Sequence, residues 1–97
     1  MSEDVRLDVW LWRARFFKTR SLSSGFISRR GVRVTRDGVT RKLNKPASRL
    51  AVGDVVSLPL GAQIIELRVV DFGTRRGPAS EAQQLYERLE ARDTGDG

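Results

Sequence analysis

At Gly31 the apolar residues change from a spacing of about three to four positions to a spacing of two, and that change restricts the chain to folds that pack helices against a sheet. From Val5 to Phe17, Leu7, Trp10, Leu11, Ala14 and Phe17 lie on one helical face and Val9, Trp12 and Phe16 on a second, which predicts a helix covered on two sides. Core packing is the first reading of these aromatics, with Trp12 the best candidate to be exposed.

A break over Thr19 to Ser21 separates a second predicted helix, with Ser21 as its N-cap and Leu22, Phe26 and Ile27 as its buried stripe. Arg29 and Arg30 close it, and Gly31 supplies the left-handed residue that ends it.

Past Gly31, Val32 and Val34 alternate with Arg33 and Thr35, and Asp37-Gly38 offers a hairpin turn before Val39. Pro46 argues against a central strand, so residues 41 to 49 are expected to be an irregular basic loop returning to the sheet at Leu50. Gly53-Asp54 marks another turn, Val55 to Leu58 and Ile64 to Phe72 read as strands, and Gly61 and Gln63 lie in the connection between them. Ala82, Leu85, Tyr86 and Leu89 then predict a one-faced helix capped by Ser80 with Gln83 three residues on.

The expected fold class is therefore α+β, two N-terminal helices packed on a small, mostly antiparallel sheet with a late C-terminal helix. Ninety-seven residues support one core. Residues 1–5 are expected to be an arm, 6–92 a single domain with its motif in 6–60 and an extension in 61–92, and 93–97 a disordered tail.

Thirteen of the eighteen Lys and Arg residues fall in the first fifty positions, against four of the twelve acids, and the sequence pI is near 11.0. Charge segregated in this way is an electrostatic footprint for nucleic acid. At its centre stands Lys18-Thr19-Arg20-Ser21, which places two cations beside the free amides and positive dipole end of the second helix, a ready phosphate site. Arg outnumbers Lys in this set, and its planar fork suits bidentate phosphate contacts and stacking on unpaired bases.

Catalysis finds little to work with. The chain has no His and no Cys, which removes the usual nucleophiles, bases and metal ligands, and its glycines form no phosphate-cradling motif. Asp8 reads as a helix-start charge or a partner for Arg15 or another arginine rather than a base. No enzyme activity, cofactor or metal is expected. An acidic Met1-Ser2-Glu3-Asp4 start, with no long apolar run, points to the cytoplasm and away from a membrane.

Taken in order, Arg6-Leu7-Asp8-x-x-Leu11, Lys18-Thr19-Arg20-Ser21 with Ile27, Val32-x-Val34, Lys45-Pro46-x-Ser48 and Val52-Gly53-Asp54 resemble the S4-type RNA-binding domain, the αL fold. Trp10-Leu11-Trp12-x-Ala14-Arg15-Phe16 and Arg75-Arg76-Gly77-Pro78-Ala79-Ser80-Glu81-Ala82, followed by Leu85-Tyr86-Glu87, resemble the fifteen-kilodalton heat-shock protein family and its short relatives in ribosome quality control. This chain departs from the pattern in having Thr35-Arg36 where the family's strand ends in an Asn-Gly turn, and a longer Arg36 to Lys45 segment.

The resemblance implies a non-enzymatic protein that binds ribosomal RNA on a large subunit still holding tRNA with a nascent chain. By motif match it assigns RNA contact to Arg6, Lys18, Thr19, Arg20, Ser21, Arg29, Arg33, Lys45 and Ser48. Arg13, Arg30, Arg36, Arg41 and Lys42 join that set from charge and proximity alone. The expected partners are ribosomal RNA, the large subunit and tRNA, bound by a monomer. Two other readings share the residues: an RNA-binding accessory to a modifying enzyme supplied in trans, and a DNA-binding helix-turn-helix regulator that reads with residues 22 to 30.

Overall fold

The computed structural model describes residues 3–89. Its order is β1 (Val5–Arg6), α1 (Leu7–Arg13), α2 (Arg20–Arg30), β2 (Val32–Arg36), β3 (Val39–Leu43), β4 (Arg49–Leu50), β5 (Val55–Leu60), β6 (Gln63–Val69), α3 (Ala79–Ala82), a single 3-10 turn over Gln83–Leu85, and β7 (Tyr86–Leu89). Five strands form one antiparallel sheet in the order β3-β2-β5-β6-β7, and β1 pairs with β4 in a separate two-stranded ribbon. The fold is α+β, as the change of period at Gly31 requires.

One apolar cluster joins the layers. Leu7, Trp10 and Leu11 of α1, Ile27 of α2, Val32 and Val34 of β2, Leu50 of β4, Val56 and Leu58 of β5, and Leu67 and Val69 of β6 are all buried in it. The Trp10 indole donates to the Asp71 carbonyl at 2.9 Å, so the largest core side chain leaves no buried donor unpaired. Trp12, the aromatic expected to be exposed, is half-buried.

The first helix is shorter than its pattern. Val5 is in β1, paired with Leu50, so the expected arm is already part of the fold there. At the other end Ala14 caps α1, and Arg15 at φ 70° turns the chain. Phe16 then packs on Tyr86 and Phe17 on Phe26, with ring centroids 5.0 and 5.2 Å apart, so these aromatics cover the core from a turn rather than from a helix.

Thr19, not Ser21, caps α2: its hydroxyl accepts from the Leu22 amide at 3.0 Å. The helix starts two residues earlier than expected, and it turns Ser23 and Ile27 to the core while Leu22 is 55% exposed. Gly31 does end it, with its amide on the Ile27 carbonyl, but at φ 75° and ψ 161°. That is not the left-handed helical basin; it is a region that essentially only glycine occupies.

The Asp37-Gly38 turn joins β2 to β3 with both residues at positive φ, the geometry that matches strand twist in a two-residue hairpin. Arg41, Lys42 and Leu43, expected in a loop, are in β3; Pro46 lies beyond the strand and does not prevent it. Gln63 belongs to β6, and β6 ends at Val69 rather than Phe72.

The largest difference is at the end. Pro78, not Ser80, stands at the start of α3, which has only four residues, and Tyr86 to Leu89 form a strand that pairs with β6 from Val69↔Tyr86 to Glu66↔Leu89. The residues of the expected disordered tail lie outside the described part.

Candidate nucleic-acid interface

Ion pairing sorts the cations into two groups. Among the described residues, carboxylates pair with Arg6, Arg36, Arg49, Arg68 and Arg75. Lys18, Arg20, Arg29, Arg30, Arg33, Arg41, Lys42 and Lys45 take part in none of these pairs and are all exposed. These eight occupy the turn before α2, the end of α2, the β2–β3 hairpin and the loop after it; Arg88 on β7 is also exposed and in none of the pairs, and Arg13, Arg15 and Arg76 bond backbone carbonyls.

At the start of α2 the Thr19 cap leaves the Ser21 hydroxyl, the Lys18 ammonium and the Arg20 guanidinium together at the helix's positive end. Thr19 is thus a structural member of the predicted set. At the other end the Arg30 guanidinium sits 5.9 Å from the centroid of Phe26, and Arg29 folds back along the helix over Gly25, where a side-chain Cβ would stand 3.1 Å from its Nη1. Both are steadied on the helix surface with their charges uncompensated.

On the hairpin, register splits the candidates between two faces. Arg33 and Lys42 are cross-strand partners on the face away from the core, where like charges directly opposite each other repel. The Lys42 stem runs over Gly31, whose missing Cβ would meet its Cε at 2.7 Å. Arg41 pairs with Val34 and therefore belongs to the core side of the sheet, as does Arg36, the partner of Val39. The site is a basic belt around the hairpin rather than one flat surface.

Three candidates have internal work. Arg6 binds Asp8 in a fork, Nε to Oδ1 and Nη2 to Oδ2, each at 3.0 Å. Burial pushes the Asp8 carboxyl up, but hydrogen bonds from Arg6 and Ser24 and the Arg6 charge outweigh it and hold its pKa below the usual aspartate range. Arg36 forks onto buried Asp54 at 2.8 and 2.7 Å, and that bond raises its own pKa further. Asp54 also accepts from the Ala51 amide, so the pair closes the turn before β5.

Arg13 is the third of these. Its Nη1 donates to the carbonyls of Phe72 and Gly73, at 3.3 and 2.9 Å, and its Nε is buried. Arg15 donates to Gly77 at 2.7 Å and Arg76 reaches back to Trp12 and Phe17, so these three arginines fasten residues 72–77 around the end of α1. Charge and proximity alone place Arg13 in the predicted set; its Nη1 is engaged inside the molecule, while its buried Nε has no hydrogen-bond partner among the described residues. Ser48 accepts the Leu7 amide through its carbonyl and sits half-buried beside α1.

Arg49, absent from the predicted set, stands 3.5 Å from Asp4 and remains 59% exposed, facing the hairpin. Its position one residue beyond Lys45-Pro46-x-Ser48 was the available signal. No group of three or more metal-binding side chains gathers among the described residues, and no helix there is long and apolar enough to cross a membrane.

A basic turn capped by threonine, a helix pair on an antiparallel sheet and a cationic hairpin define an RNA-binding module, and residues 5–56 match the S4 domain family model. The chain belongs to the S4 domain family. Over most of its length it is similar to heat shock protein 15: 40% identical to the Aeromonas salmonicida homolog over 87 residues and 38% identical to the Escherichia coli K12 protein over 84. Those alignments cover 90% and 87% of this chain but only 62% and 59% of the relatives, so the chain spans about three-fifths of their length. The trimeric structure of heat shock protein 15 from Vibrio cholerae superposes with a TM-score of 0.74 at 36% identity, covering 90% of this chain and 83% of that one.

Proposed function

We propose that this protein is a non-enzymatic, cytoplasmic binder of structured ribosomal RNA on the large subunit, acting with tRNA present on subunits blocked by an unfinished chain. The observation that carries this reading is the group of eight exposed cations, from Lys18 to Lys45, that the protein's own carboxylates leave unpaired. Recognition proceeds by phosphate positioning and shape, because the grooves of an RNA duplex offer side chains little base information. The similarity to heat shock protein 15 supports a role under stress.

Lys18→Ala with Arg20→Ala tests it. The double variant is expected to lose most affinity for ribosomal RNA while keeping its Tm, because both side chains are exposed. Sedimentation with isolated subunits, with duplex DNA as competitor, separates this reading from a DNA regulator. The reading takes the protein as a monomer on RNA whereas the Vibrio cholerae relative is trimeric, and mass measurement with and without RNA decides between the two.

A further inference from the structure

The core side of the hairpin carries a feature that phosphate binding alone does not use. A groove of about 500 Å³ runs between β2–β3 and the segment at Ser48 and Arg49, within the volume range of small-ligand sites. Its floor is apolar: Val34, Val39 and Leu43 line it, and Val39 is left 55% exposed. Its rim is cationic, with Arg36, Arg41 and Arg49 all among the lining residues.

These three arginines are not equivalent. Arg36 is held by Asp54 and also donates to the Arg49 carbonyl at 3.3 Å, which fixes that wall of the groove. Arg49 has only the long contact to half-exposed Asp4, and Arg41 has no ion pair among the described residues. An anion entering the groove therefore meets two available guanidinium groups beside an aliphatic surface. Asp37, at the hairpin tip, repels a phosphate from that end.

A ligand that fits must be flat and apolar over part of its surface and anionic at one side. We infer that the groove receives a single unpaired nucleotide of the bound RNA, its base on Val34, Val39 and Leu43 and its phosphate on Arg41 and Arg49. The inference rests on the RNA-binding reading above and adds the element that the protein distinguishes within that RNA. Guanidinium groups suit both halves of such a ligand, since they fork onto phosphate and stack on bases. An unstacked nucleotide also offers what a continuous duplex hides.

The test compares a short RNA hairpin carrying a one-nucleotide bulge with the same hairpin fully paired, using the full chain. The bulged hairpin is expected to bind about tenfold tighter or more, roughly the worth of covering one exposed valine side chain, and to shift the methyl resonances of Val39 and Leu43. Val39→Asn and Arg41→Ala should each abolish that preference. Because Val39→Asn changes no charge, it should leave affinity for the paired hairpin within about twofold.

Equal binding of the two hairpins overturns the inference and leaves the RNA reading standing. A preference that survives both substitutions overturns it as well, because the bulge is then read elsewhere. Failure to bind either hairpin removes the RNA reading itself. If a glutamate-rich peptide shifts the groove methyls and the bulged RNA does not, the groove belongs to a protein partner and the inference is wrong.

Discussion

The Ser24 hydroxyl donates to the Asp8 carboxylate at 2.8 Å, and that bond ties the first turn of α1 to the second turn of α2. Ser23 adds a parallel bond to the Asp8 carbonyl at 3.0 Å. Since Arg6 binds the same carboxylate, one buried acid sets both the angle between the helices and the position of a cation at their base.

Asp8→Asn is expected to destabilise the fold by about 1–3 kcal/mol at neutral pH, as loss of a charged, hydrogen-bonded partner does when the other member is partly solvated. The carboxyl titrates below its ordinary value of 3.8 in the folded protein. Its contribution is therefore complete at neutral pH and disappears as pH falls from that value through the folded pKa. Melting curves from neutral to acid pH should show a smaller acid-induced loss for Asp8→Asn than for the wild type. An unchanged loss would assign acid sensitivity to another carboxylate.

Removing the cap with Thr19→Ala should cost about 1 kcal/mol, whereas Ser21→Ala should be close to neutral for stability. Chemical denaturation checks the pair. If Ser21→Ala proves the more costly, the helix begins where the sequence alone places it.

Arg13→Ala and Arg33→Ala should separate fastening from recognition. The first leaves the Phe72 and Gly73 carbonyls without their donor and should lower stability by about 1–3 kcal/mol with little change in RNA affinity per folded molecule. The second should do the reverse, weakening RNA binding at a melting temperature unchanged or slightly raised by relief of the repulsion from Lys42.

Gly31→Ala forces a methyl group into a conformation that costs about 1–3 kcal/mol and pushes the Lys42 stem aside. A lower Tm together with weaker RNA binding is the expected result, and Lys42→Ala should reproduce the second effect without the first.

Salt dependence reports how many phosphates are engaged. The plot of log affinity against log salt should be steep for the wild type and shallower by about two units for Lys18→Ala with Arg20→Ala, one for each lost phosphate contact. A slope that the double variant leaves unchanged would remove the helix start from the interface.

The sequence was most readable where side-chain chemistry acts locally. Gly31, Asp37-Gly38 and Gly53-Asp54 each appear at the expected turn because backbone conformation there is a property of one or two residues. Tyr86 to Leu89 has the helical spacing of Ala82, Leu85 and Leu89, yet four residues also suffice for a strand, and the free side of β6 draws them into one. The same limit applies to the site. Composition found the basic belt, but the carbonyls of Phe72 and Gly73 that take Arg13, and the acid that takes Arg36, come from distant parts of the chain.

The separation of paired from unpaired cations also has a kinetic consequence. Eight uncompensated charges around α2 and the hairpin, set against a second half (residues 51–97) in which eight acids outnumber five basic residues, give the molecule an electrical polarity. In the field of a polyanion such a body turns before it touches, and more of its collisions are productive. Added salt should therefore slow arrival as well as hasten departure, and the turn at Lys18 and Arg20 serves as the leading edge of an approach that is oriented at a distance.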